Sequence, residues 1–277
     1  TEDPKGTNYG AGAEGNPYRA ITNSNATNKE YRQAYYMYGE GEAKTDIIGG
    51  RIHYVYGGSN QKGNISTLAL SIYDNSSECP VITDKTYGAG KNAEVDAKTS
   101  VSMQCIEWAG KHFGGSTAAD VNSDVVLNIS NGHYGQVYGG NDTSGNIKGS
   151  ITVNIQESSC KPIVIGGLYG GGYLAGYSIY GYNDDKSPRT KAQYESAKTT
   201  ALTGVDETDE DAVKEALLAK NLYGYPKHDP RINVISATRI DSIFGGGFKA
   251  LVVGSPYINV NMQKGIVSHE YVNSENL

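Results

Sequence analysis

Cysteine, histidine, carboxylate and tyrosine are the residue types in this chain that can do chemistry, and their spacing sorts them. Cys79, Cys105 and Cys160 lie 8, 8 and 9 residues before the aromatics Tyr87, Phe113 and Tyr169. They share nearly one phase of a repeat, and one repeat of separation falls within the Cα range of a disulfide. Cys79 and Cys105 belong to neighbouring copies, so the expected bond is Cys79–Cys105, set against a stack of buried thiols. Cys160, two copies beyond Cys105, should be out of reach. The cysteine spacing has no zinc pattern, and His53, His112, His133, His228 and His269 show no ligand spacing. A glycosidase or lyase needs carboxylates or a basic residue aligned on one substrate. Glu107, Asp120, Asp124 and Asp241 fall at scattered phases, so no catalytic set is expected.

Three glycine motifs call for the same test. Gly88-x-Gly90-x-x-Ala93, Gly170-x-Gly172-x-x-Ala175 and Gly245-x-Gly247-x-x-Ala250 match a loose dinucleotide fingerprint. That fingerprint requires a strand before it and a helix after it. Here it occurs three times and leads into strands, so these are corners, and no cofactor is expected. Gly139-Gly140-Asn141-Asp142 resembles the start of a calcium-binding nonapeptide, but no second nonapeptide follows. A turn held by Asx side chains accounts for it better, so no metal is expected. Tyrosine is in excess, 22 residues against Phe 3 and Trp 1. Most of it should stack inside the fold with its hydroxyls at the edge. The sharper alternative is a glycan-binding strip of Tyr173, Tyr177, Tyr180 and Tyr182.

What must position these residues is a repeat. Aromatics followed by glycine fall at Tyr56, Tyr87, Phe113, Tyr138, Tyr169 and Phe244, with successive spacings of 31, 26, 25, 31 and 75. An apolar anchor follows at +9 (Ile65, Ile147) or +8 (Val95, Val121, Tyr177, Val252), and four copies carry alanine at +6. Apolar residues then return at even offsets, as in Val125, Leu127, Ile129 and Ile151, Val153, Ile155; Leu68, Leu70, Ile72 slips by one. Period two marks strands with one face inward. Residues 1–46 carry little periodicity and are assigned as an N-terminal cap, with 47–277 as the repeat domain. The long interval is an insertion at 180–230 in which Ser187-Pro188 opens one helix and Thr208 caps a second.

The totals set outer limits. The chain has 277 residues, a net charge of −6 and no basic cluster, which argues against a nucleic-acid partner. Its hydrophobic content is 38%, and no apolar run approaches membrane-spanning length, so no transmembrane segment is expected. The start at Thr1 suggests a processed or trimmed polypeptide.

Val-Tyr-Gly-Gly (55–58, 137–140), Leu-Tyr-Gly-Gly-Gly (168–172) and Ile-Phe-Gly-Gly-Gly (243–247) each lead toward an alternating strand. On these motifs, over roughly 47–262, the chain resembles the Gly-rich β-helical surface proteins of gut anaerobes, similar in architecture to autotransporter passenger domains and filamentous adhesins. The expected fold is all-β: a right-handed parallel β-helix, a solenoid of about six to seven coils with a mostly helical insertion. A kelch-like β-propeller is the alternative, but its four strands per blade need intervals of about 50 residues. The resemblance implies export through a Gram-negative outer membrane to the cell surface or the medium. The expected role is a non-enzymatic, adhesin-like module whose partner is a glycan, a host or surface protein, or other subunits of a surface assembly. The alternatives are a carbohydrate-active β-helix enzyme (polysaccharide lyase or hydrolase) and a structural subunit of a filament or envelope complex.

Overall fold

The computed structural model describes residues 41–61, 65–73 and 81–260. In chain order the strands are β1 (Gly41–Ile47), β2 (Gly50–Tyr56), β3 (Ile65–Tyr73), β4 (Val81–Tyr87), β5 (Thr99–Gln104), β6 (Ile106–Phe113), β7 (Val125–Ile129) and β8 (Gly132–Tyr138). They continue as β9 (Ile151–Gln156), β10 (Ile163–Tyr169), β11 (Tyr177–Ser178), β12 (Arg231–Ser236), β13 (Arg239–Ile240), β14 (Ile243–Phe244), β15 (Val252–Val253) and β16 (Tyr257–Val260). One sheet has the order β1-β3-β5-β7-β9-β12-β16. A second runs β13-β10-β8-β6-β4-β2, with β14 also on β10, and β11 pairs with β15 in a third. The pairing between these strands is parallel, each strand bonding to its equivalent one repeat away. The antiparallel blades of a propeller are not what these strands form.

Local pattern explains the pairing. Along β5 the side chains alternate buried and exposed, as period two requires. Leu70, Val101, Leu127, Val153 and Ile232 point into one core with Val81, Ile106, Val137, Ile163 and Leu168 of the second sheet. Glycine sits where one corner must touch the next: a Cβ on Gly139 would come 2.6 Å from both the Gly170 carbonyl oxygen and Ile151 Cγ2. The alanines at +6 fill the same crowded corner, with Ala93, Ala119 and Ala175 buried.

The recurrent aromatics form a ladder. Tyr56, Tyr87, Phe113, Tyr138, Tyr169 and Phe244 stack with centroids 4.9, 5.0, 4.8, 4.8 and 4.9 Å apart. Tyr173 packs edge-on to Tyr138 and face-on to Phe248, which starts a second short stack.

Three expectations need adjustment. The first sheet already includes Gly41–Ile47, six residues before the boundary drawn at 47, while residues 1–40 of the expected cap lie outside the described ones. Two helices, α1 (Lys191–Leu202) and α2 (Glu210–Leu218), keep the chain from being all-β. Their caps are Thr190, in a capping box with Gln193 and three residues past Ser187, and Asp209, one residue past Thr208.

The third concerns the cysteines. A disulfide joins Cys105 to Cys160, with Cα atoms 5.8 Å apart, in place of the expected Cys79–Cys105 bond. Cys79 itself lies outside the described residues. Chain length is the reason. The repeat from Tyr138 to Tyr169 spans 31 residues where Phe113 to Tyr138 spans 25. The surplus folds back as a loop at 157–162 over the tight turn at Asn131. The Ser158 amide donates to the Ser130 carbonyl at 3.1 Å, and Asn131 Nδ2 donates to the Ser158 carbonyl at 2.8 Å. The loop thereby skips one repeat and delivers Cys160 to Cys105.

Candidate binding groove

The chain leaves the sheets after Ser178 and rejoins them at Arg231. Its exit is pinned by the Tyr182 hydroxyl, which donates to the Ile147 carbonyl at 3.0 Å and accepts from the Ile147 amide at 3.1 Å. Its return is pinned by the Lys227 amide, which donates to the Ile179 carbonyl at 2.7 Å. Between these anchors Leu222 is fully buried and the Tyr194 hydroxyl donates to the Tyr225 carbonyl at 2.7 Å. The excursion is thus a packed unit with a fixed wall.

That wall stands over two rows of outward-facing corner residues. Val95, Val121 and Ile147 bridge in parallel, so Asp96, Asn122 and Lys148 are equivalent, as are Asp120 and Asn146. Between the rows and the wall is a cleft of about 450 Å³ lined by Asp120, Asn122, Asn146, Lys148, Tyr182, Asn183, Asp184, Lys186, Tyr223 and Tyr225 among others. Asp120 accepts from the Asn146 amide at 2.9 Å, and its other oxygen lies 4.0 Å from both Lys148 Nζ and Lys186 Nζ. Asn122 Nδ2 donates to Asp96 at 2.6 Å, while the Asn122 side-chain oxygen is buried with no hydrogen-bond partner among the described residues. Tyr223 and Leu218 are about half exposed at the rim. Burial pushes the Tyr225 phenol up to about 12 and holds Tyr182 still higher, so both are protonated at neutral pH.

A planar tyrosine face beside amide and carboxylate side chains suits a sugar ring, whose apolar face stacks while its hydroxyls hydrogen-bond. A second cleft adjoins the first. It is lined by Lys98, Asp124, Ser150, Thr152, Lys227, His228, Asp229 and Arg231, and Lys227 lines both.

The four tyrosines expected as a strip do not lie together. Tyr173 stacks on Phe248 with Lys111 Nζ 4.3 Å from its ring centre, beside the aromatic ladder. Tyr177 is buried and donates to the Gly149 carbonyl at 2.9 Å. Tyr180 packs against Tyr194, 5.5 Å between centroids. Tyr182 alone lines the cleft. The scattered carboxylates also stay apart: Glu107 pairs with Lys161 at 2.6 Å and Asp241 with Arg239 at 2.6 Å, while Asp120 and Asp124 enter different clefts. Asn141 ties one corner to the preceding one, accepting from the Ser116 amide at 2.8 Å and donating to the Ala119 carbonyl at 3.1 Å; these bonds cross between repeats and are not the local Asx turn expected. Among the described residues no group of three metal-ligating side chains converges, and no helix is long and apolar enough to cross a membrane.

Asn122, Asn146, Lys148 and Tyr223 escaped the sequence reading. The available signal was the 26-residue spacing of Asp96, Asn122 and Lys148, each directly after a repeat anchor. The chain is a mostly-strand protein of parallel sheets whose cleft is walled by a helical insertion. Compared with known proteins, it matches no family model, no curated protein and no solved structure.

Proposed function

We propose that the chain is a right-handed parallel β-helix acting as a non-enzymatic, adhesin-like module on the surface of, or secreted by, a Gram-negative bacterium, and that its ligand is a glycan. The observation that carries this is the cleft of about 450 Å³ between the insertion and the corner rows, with Tyr223 at its rim and Asp120, Asn122 and Asn146 on its floor. Strand-on-strand pairing makes such a scaffold stiff, while one elongated connection is free to build a site. Asp120 and Asp124 each accept from a backbone amide one repeat on and line different clefts, which supports binding over hydrolysis.

The test is a glycan-array screen of the full chain followed by titration with the best ligand. Tyr223→Ala should weaken binding at least tenfold with an unchanged melting temperature, and no reducing or unsaturated ends should appear. Failure of the intact chain to bind any glycan, or turnover of the one it binds, would overturn the reading.

A further inference from the structure

The second cleft, about 630 Å³, has a different chemistry from the first. Its floor is two rows of equivalent residues on the first sheet. Ser100, Val126, Thr152 and Arg231 are in register across β5, β7, β9 and β12. Two residues earlier in each strand approach stand Lys98, Asp124, Ser150 and Asp229. The wall is the returning end of the insertion, Gly224 to His228.

The two carboxylates here have structural work. Asp124 accepts from the Ser150 amide at 2.8 Å and Asp229 from the Ser255 amide at 2.6 Å, each supporting the backbone one repeat on. The three cations do not share that engagement. Among the described residues, Lys98, Lys227 and Arg231 form no ion pair, although Lys227 Nζ also lies 5.1 Å from the Tyr225 ring centre. The three cations outnumber the two carboxylates in this cleft, on a chain whose net charge is −6. A single excess positive charge balances one carboxylate and does not suit a polyphosphate. Arg231 offers a planar fork that pairs with a carboxylate through two parallel hydrogen bonds.

We infer that this cleft holds the carboxylate of a uronate residue, so that the glycan bound by the chain is an acidic polysaccharide. This rests on the glycan reading of the first cleft and narrows it. Arg231 takes the carboxylate, Lys98 and Lys227 supply the field, and the neighbouring sugar extends past Lys227 to stack on Tyr223.

Titration calorimetry with oligosaccharides of galacturonate, glucuronate and mannuronate tests it. Each is compared with its carboxyl-reduced form and with a sulfated oligosaccharide of equal length. At least one acid form should bind ten times more tightly than its reduced counterpart, with that preference shrinking as salt rises. Arg231→Gln and Lys98→Gln, both at exposed positions, should abolish the preference for the acid form. Equal affinity for acid and reduced forms, or no effect of either variant, would overturn the uronate assignment and leave the glycan reading standing. So would a sulfated ligand that binds more tightly than every uronate. No binding of any oligosaccharide, charged or neutral, would remove both.

Discussion

The Tyr87 hydroxyl donates a 2.7 Å hydrogen bond to a carboxylate oxygen of Asp142, 55 residues further along the chain. The same oxygen lies 3.1 Å from Lys85 Nζ, and the Asp142 side chain is only 3% exposed. Burial first, and then the neighbouring carboxylate, hold the Tyr87 phenol well above its ordinary range. The buried Asp142 side chain therefore ties two residues at the end of one strand, β4, to a corner two repeats away. Tyr87→Phe should cost about 1–3 kcal/mol, the usual penalty for leaving a buried acceptor short of a donor. Asp142→Ala should cost more, toward the low end of roughly 3–5 kcal/mol, because Lys85 is partly exposed and regains some water. Urea unfolding of both variants checks the order, and a Tyr87→Phe that unfolds like the parent chain would show that the clamp contributes nothing.

His112 has the opposite problem. It stands in one buried row with Thr86 and Val137, and neither ring nitrogen has a hydrogen-bond partner among the described residues. Burial lowers its pKa to about 3 from an ordinary 6.5. The unfolded chain then binds the proton more readily across that interval, so stability is fully present above pH 6.5 and is lost as pH falls toward 3. Between pH 6.5 and 4 this one side chain should remove about 3 kcal/mol. His112→Leu should flatten the pH dependence of urea unfolding over that window. If the slope is the same with leucine, His112 is not its source.

The aromatic ladder should weaken unevenly when cut. Tyr138 is fully buried and stacked on both faces, by Phe113 and Tyr169. Tyr138→Ala should cost about 3–5 kcal/mol. Phe244 has 47% of its surface exposed and stacks on Tyr169, so Phe244→Ala should cost about 1 kcal/mol. Thermal melts of the two variants separate a ladder that stabilises from one that is merely a by-product of register. Equal losses would point to the by-product.

How far such features can be read from the sequence depends on the range of the forces that set them. The stack of Tyr138 on Tyr169 was legible because one aromatic–glycine phase recurs. The inward row Val125, Leu127, Ile129 was legible because period two is a local property of a strand. The parallel partner of each strand followed from the repeat alone. The groove did not. Tyr177 and Tyr182 are five residues apart, yet one is core and the other lines the cleft, because the wall's path is decided by contacts such as Tyr182 with Ile147, 35 residues away. Asp120 was noted as a carboxylate, but nothing local says that Lys186, on the insertion, comes to 4.0 Å from it.

The disulfide belongs between these cases, and it yields the sharpest count. Equal phase predicted that adjacent repeats pair, but a lengthened corner carries Cys160 past one repeat to Cys105. The bond closes a span of 55 residues, which by loop-closure entropy stabilises the fold by roughly 4 kcal/mol. Reduction, or Cys160→Ser, should lower stability by about that amount, whereas Cys79→Ser should change it far less. The chain has 3 cysteines, so one bond leaves one thiol, assigned here to Cys79. Denatured without reductant and alkylated, the chain should take up a single label, and peptide mapping should find it at Cys79. A label at Cys160 would restore the Cys79–Cys105 pairing, and with it a loop at 157–162 that does not reach back across a repeat.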